Sequence, residues 1–146
     1  MFDIAFVGTE PELQDEGWYG LWGQLTIGDY RESFLASLSL WSRADYERQW
    51  VEAATRLVRG KERSAFFTSA FQFWWTMWSD GVTVRVHEEL FTGERLEPLG
   101  SSPNTSVTPY HLIDSYQSMT EDGEPISEWQ LALDDIHAYL ARRASR

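Results

Sequence analysis

The side chains best able to do chemistry are the three histidines, His87, His111 and His137, together with a few paired carboxylates. The histidines fall in three separate expected elements. None has a second ligand-type residue at the i,i+4 or short-loop spacing that a metal requires. His87-Glu88-Glu89 opens like a zinc-protease motif, but no second His follows at the required distance and the segment has strand character. Glu88-Glu89 and Asp134-Asp135 could divide acid and base roles, yet neighbours on a strand point to opposite faces and an acid pair at a helix start complements the helix dipole. Neither Gly100-Ser101-Ser102 nor Ser127-Glu128-Trp129 supplies the sharp strand-to-helix turn that exposes a serine nucleophile, and no phosphate-cradling glycine pattern occurs. With no cysteine, thiolate metal sites, disulfides and cysteine nucleophiles are excluded, which fits a reducing compartment. The expectation is a protein that is not an enzyme, with no catalytic residue, metal or cofactor and with its histidines at polar surface positions. A small hydrolase would need His87 or His111 to converge with a carboxylate in one pocket.

Charge narrows the partners. Twelve Lys+Arg stand against 23 Asp+Glu, a formal net charge of −11, which repels phosphate backbones and anionic membrane faces. Nucleic acid and membrane are therefore disfavoured, and a basic partner is the natural complement, although solubility alone also favours such a charge. The longest apolar stretch, Ala65 to Trp78, is interrupted by Thr68, Ser69, Gln72 and Thr76 and is too short to span a bilayer. Met1 to Val7 carries an early Asp3 and lacks the basic flank and long apolar run of a signal peptide, so the expected location is the cytoplasm.

The chain is of the commonest size for one compact unit, and 42 % hydrophobic residues with eight Trp can offset the entropy of folding. A single domain over residues 1–146 is expected. Alternation marks a strand over Phe2 to Val7, followed by a surface loop from Thr9 to Gly17. Leu21 to Ile27 and Tyr30 to Leu38 flank Gly28-Asp29, a two-residue hairpin connection. Ser42 is placed to cap a helix over 43–59: Asp45 stands three residues on, Tyr46, Trp50, Ala53 and Leu57 recur on one face, and Gly60 ends it.

Beyond Gly60 come β-prone segments over Ala65 to Ala70, Phe71 to Trp78 and Val82 to Leu90, the last two joined by the turn Ser79-Asp80-Gly81. On the second, Val82, Val84 and Val86 should be buried while Thr83, Arg85 and His87 face water. Thr92 to Ser106 has loop composition, Val107 to Ile113 has strand character, and Thr120 to Pro125 forms an acidic turn. The period then changes from two over Ile126 to Leu133 to helical over 134–144. The class expected is α+β, a mostly antiparallel sheet with one long helix and a C-terminal helix packed on it.

Phe71 to Trp78 puts aromatic residues on both faces of one strand. A central strand buried on both sides is the expected explanation, and a partly exposed aromatic surface for a peptide or second subunit is the alternative. On that alternative the chain is a non-catalytic regulatory or scaffold domain. A base-stacking platform would need surrounding Lys and Arg, and only Arg63 and Arg85 lie near in sequence.

Three segments together resemble the immunity proteins of contact-dependent growth inhibition systems: Trp41-Ser42 through Tyr46, Gln49-Trp50 and Gly60; Phe73-Trp74-Trp75; and Ile126-Ser127-Glu128-Trp129 through Asp134-Asp135-Ile136. The resemblance implies a cytoplasmic protein that binds the toxic C-terminal domain of its cognate effector, commonly a nuclease, and blocks its active site or substrate entry. The shared Trp and Tyr motifs are then scaffold. Charge agrees, because a nuclease needs a basic cleft and an acidic inhibitor can imitate the backbone that cleft holds. The candidate toxin-binding residues are carboxylates in loops and at strand ends: Asp80, Glu88, Glu89, Asp114, Glu121, Asp122 and Glu124.

Overall fold

The computed structural model describes residues 1–69, 73–90 and 109–145. Among these, strands β1 (Phe2–Phe6), β2 (Glu12–Leu13), β3 (Tyr19–Ile27) and β4 (Tyr30–Ser37) precede the long helix α1 (Arg43–Val58). Then follow β5 (Arg63–Ser69), β6 (Phe73–Ser79), β7 (Thr83–Leu90), a 3-10 turn (Pro109–Leu112), β8 (Trp129–Ala132) and helix α2 (Leu133–Ala144). The chain is α+β with antiparallel strands, as expected, but the strands divide between two sheets. In the first, β3 is central, with β4 on one side and both β1 and β2 on the other. The second runs in the order β5-β6-β7-β8.

Local chemistry sets α1. The Ser42 hydroxyl accepts from the Asp45 N–H at 3.2 Å and the Asp45 carboxylate accepts from the Ser42 N–H at 2.9 Å, so two otherwise orphaned donors are satisfied reciprocally. That bond from the Ser42 backbone holds the Asp45 carboxyl below its usual range. Gly60, at φ 92°, takes the left-handed conformation that ends the helix, one residue after its Arg59 cap. Tyr46, Trp50, Ala53 and Leu57 are buried, joined by Gln49 and Ala54. α2 has no capping side chain at Ala132, and instead the Asp135 carboxylate accepts from the Ala132 N–H at 3.1 Å.

The buried side chains of both sheets and both helices form a continuous cluster. Phe2 of β1 meets Phe66 of β5 and Tyr139 of α2, with ring centroids 5.1 and 5.3 Å apart, while Phe6 lies 5.0 Å from Trp50 of α1. Tyr30 of β4 lies 4.8 Å from Trp129 of β8. The core is thus aromatic and lies between the sheets and under both helices.

Four sequence expectations change. The stretch Thr9 to Gly17 contains the two-residue strand β2. Residues 109–112 form a 3-10 turn and not a strand, because Tyr110 and Ile113, three apart, both turn into the core, with Ile113 N–H donating to Tyr110 C=O at 3.2 Å. The strand expected over 126–133 is confined to Trp129–Ala132, since Ile126 N–H is drawn away to Ser118 C=O. Val82 is exposed in the turn before β7, whereas Val84 and Val86 are buried as expected. The loop expected over 92–106 lies outside the described residues, as do Phe71, Gln72, Val107 and Thr108.

Candidate functional site

Part of the outward face of the second sheet, around Arg63, Trp78, Arg85 and His87, is covered by the segment that leads from Tyr110 to Glu128. Trp78 of β6 donates from Nε1 to the Asp114 carbonyl at 2.9 Å, and Arg63 of β5 donates to the Ile113 carbonyl at 2.7 Å and to Ser115 Oγ at 3.0 Å. Under this strap lies His87. It is 3 % exposed, against the expectation of a surface position, because the strap covers the face of β7 that alternation alone assigns to water. His111 and His137 are exposed.

The His87 ring is held between Trp78 and Tyr116, at centroid distances of 4.8 and 5.7 Å, and its Nε2 lies 3.0 Å from Glu128 Oε1. Glu128 also accepts from the Tyr116 hydroxyl at 2.5 Å and from Gln130 Nε2 at 3.3 Å. Burial pushes the Glu128 carboxyl up, but the bonds from Tyr116, His87 and Gln130 outweigh it and hold the group below its usual range. A histidine and a carboxylate therefore do meet, as the hydrolase reading requires. The ring is shut between two aromatics, however, and offers a reactant no approach. The network serves to pin the strap to β7.

Beside it is an open groove of about 370 Å³ walled by Arg63, Trp78, Asp80, Arg85 and Tyr116 among others. Its charges are mixed, and the Arg85 guanidinium stacks 4.8 Å over the Tyr116 ring. Among the described residues no group of three or more His, Cys, Asp or Glu is arranged to hold a metal ion.

The candidate carboxylates are distributed over the surface and not gathered at one site. Asp80 lies in the β6–β7 turn, where N–H groups of Thr83 and Val82 donate to its Oδ1 at 2.8 and 2.9 Å and hold its carboxyl low. Glu88 and Glu89 stand at the other end of β7 on opposite faces, and Asp114 follows the 3-10 turn. Glu121, Asp122 and Glu124 share one exposed turn, closed by Thr120 N–H to Glu124 C=O at 2.8 Å. Sequence reasoning missed Glu32 of β4, which meets Glu88 across the two sheets: partial burial, then repulsion from Glu32 and a bond shared with it, raise the Glu88 carboxyl. Nothing in local sequence signals a pair 56 positions apart.

Within the aromatic stretch, residues 74–78 are buried on both faces of the strand. Trp74, Trp75 and Met77 have no more than 1 % of their surface exposed and Trp78 9 %, while Phe73 at the strand's start is 38 % exposed. The expected central strand is what forms, and Trp74, Trp75 and Trp78 are not available as a peptide-binding surface.

Residues 36–139 match the family model described as the CdiI N-terminal domain. The chain belongs to this family. The matched span starts within β4 and runs through α1 and the second sheet into α2, so it contains the Trp and Tyr motifs that carried the resemblance to growth-inhibition immunity proteins. No curated protein sequence matches the chain. Among solved structures it is similar to a chain of the CdiA-CT/CdiI toxin and immunity complex from Enterobacter cloacae, with 24 % identity, a TM-score of 0.81 and 100 % of each chain covered. The likeness in fold to that solved chain extends over β1 to β3, which precede the span matched by the family model.

Proposed function

We propose that this chain is the immunity protein of a contact-dependent growth inhibition system, binding the C-terminal toxin domain of its cognate effector and blocking that domain's active site or substrate entry. Membership of the CdiI N-terminal domain family over residues 36–139 carries this reading, and the similar solved chain comes from a complex of a toxin with its immunity protein. The role is binding and not catalysis. The described His–carboxylate meeting, His87 with Glu128, is spent on holding the strap.

Charge supports a basic toxin domain, and in particular a nuclease. A net charge of −11 presents to a phosphate-binding cleft the sign of field it is built to attract. The same charge opposes contact with nucleic acid or an anionic membrane, and among the described residues no helix is long and apolar enough to cross one. Asp80, Glu88, Glu89, Asp114, Glu121, Asp122 and Glu124, spread around the surface, act together as a steering field, which can raise association to about 10⁸–10⁹ M⁻¹s⁻¹ at low salt. Capture takes place in the cytoplasm, where the toxin acts.

The test is to co-express this chain with the toxin domain encoded beside it. Growth rescue and co-purification of the two are expected, and death of cells that hold ample folded protein would overturn the reading.

A further inference from the structure

Among the described residues, no helix or strand packs on the outer face of the first sheet around Trp22. Leu21, Leu25 and Ile27 of β3 point inward with Phe2, Ile4 and Phe6 of β1, and α1, α2 and the second sheet all pack against that side. The other face carries Trp22 at its centre, 40 % exposed, with Leu35 directly across from it in the β3–β4 register. A Cβ built on Gly20, the next residue of β3 on that face, would meet Leu35 at 2.8 Å and the Trp18 ring at 3.0 Å, so Leu35 and Trp18 close over the glycine and extend the apolar surface. Exposed Val7, whose N–H bonds to the Trp22 carbonyl, adds to it.

The ring of Trp22 is oriented in advance, since its Nε1 donates to Glu12 Oε2 at 3.0 Å. Glu12 belongs to an acidic segment on the strand that pairs with β3 and in the turn joining them, where Glu10, Glu12, Asp15 and Glu16 are all exposed. The first 30 residues hold six carboxylates and no Lys or Arg. Arg31, the first basic residue, pairs with Thr26, four positions along β3 from Trp22. An exposed aromatic centre with a polar surround is the anatomy of a protein interface, and a Trp face beside an acidic segment favours Arg and Lys. Trp22 and the acidic segment also precede the span matched by the family model, which begins at residue 36.

We infer that this outer face of β2, β3 and β4, centred on Trp22, is where the toxin domain docks, through a basic surface whose Arg or Lys side chains stack on Trp22 and pair with the acidic segment of Glu10, Glu12, Asp15 and Glu16. The inference rests on the immunity reading and gives it a location. The carboxylates elsewhere steer the encounter, and this face makes the contact.

The experiment uses the full chain and the purified toxin domain encoded beside it. Trp22→Ala should weaken binding by about thirty-fold or more with an unchanged melting temperature, the size expected for a Trp hot spot. The fourfold change Glu10→Gln, Glu12→Gln, Asp15→Asn and Glu16→Gln should lower the association rate about tenfold at low salt and flatten its salt dependence. Hydrogen exchange on the unaltered chain should show protection of residues 18–24 and 31–37 in the complex. Wild-type affinity in both variants, or protection only elsewhere, overturns the location while leaving the immunity reading intact. Failure of the unaltered chain to bind overturns both, and a dimer of this chain that Trp22→Ala dissolves assigns the face to self-association instead.

Discussion

Gln49 of α1 treats Phe67 of β5 as a neighbouring strand would: its Oε1 accepts from the Phe67 N–H at 3.0 Å, while its Nε2 donates to the Ala65 carbonyl at 2.7 Å. Beside it Trp50 Nε1 donates to the Phe67 carbonyl at 2.7 Å, and Ser64 Oγ donates to the Ala53 carbonyl of the helix at 2.8 Å. The open edge of the second sheet is therefore closed by helix side chains, which removes a site of strand addition. α2 does the same for the first sheet, where Arg142 donates to the Phe2 carbonyl and Arg143 to the Ile4 carbonyl.

Gln49→Leu keeps the volume and removes both bonds to β5, together with the longer 3.4 Å one from Nε2 to the Tyr110 hydroxyl, leaving a buried donor and a buried acceptor of β5 unmet. The expected loss is about 2–4 kcal/mol. A lower midpoint in urea with an unchanged slope would show it, and a midpoint equal to the wild type would mean the edge is satisfied by other means.

Gly23 of β3 lies under the Phe34 ring, and a Cβ there would come within 2.3 Å of it. Gly23→Ala must displace a ring that packs 5.9 Å from Trp50 and 6.3 Å from Phe6. A cost of about 1–3 kcal/mol is expected, readable as a drop in melting temperature, with Gly17→Ala as a contrast where a Cβ meets nothing within 4 Å but φ is 88°.

Glu128 gives the strap an acid limit. Its folded pKa is lowered, so its contribution is present above the ordinary carboxylate range and is lost as pH falls through the lowered folded value. Because the group is partly solvated, Glu128→Gln should cost only about 1 kcal/mol at neutral pH. Denaturation series from pH 7 down to about pH 3 should show the difference shrinking at the acid end, and a constant difference would contradict the lowered pKa.

Glu88 has the opposite sign. Its folded pKa is raised, so the stability linked to it is full below the ordinary carboxylate range and is lost as pH rises through the raised value. Glu32→Gln removes the repulsion and keeps an acceptor for the Tyr30 hydroxyl, now 3.1 Å from Glu32. The variant should be more stable at pH 7 by about 0.5 kcal/mol, screening included, and should lose that advantage below about pH 4. Equal stability at both pH values would show that the two carboxylates do not interact.

Much of the architecture was legible along the chain. The α1 cap at Ser42 and Asp45, the Gly28-Asp29 hairpin and the Asp80-Gly81 turn each depend on residues within a few positions, and all three form where expected. Misreadings fell where a distant segment decides the environment. His87 alternates like a water-facing residue and is buried because Tyr116 and Glu128, 29 and 41 positions away, cover it. Residues 109–112 have strand-like composition and instead make a turn that delivers Tyr110 and Ile113 to the core.

Sequence set the chemistry of the surface: composition fixed its negative charge, and the Trp and Tyr motifs pointed to the family. Those are properties of composition and short-range order, which survive in an unfolded chain. Which aromatics are scaffold and which face outward was decided only by folding. Trp74 and Trp22 both lie in β segments with aromatic residues, yet Trp74 is enclosed beside Phe67 while Trp22 is 40 % exposed, because among the described residues the helices and the second sheet pack on the face of β3 opposite Trp22. Exposure is a property of what packs against a residue, and that is set by chain elements far away in sequence.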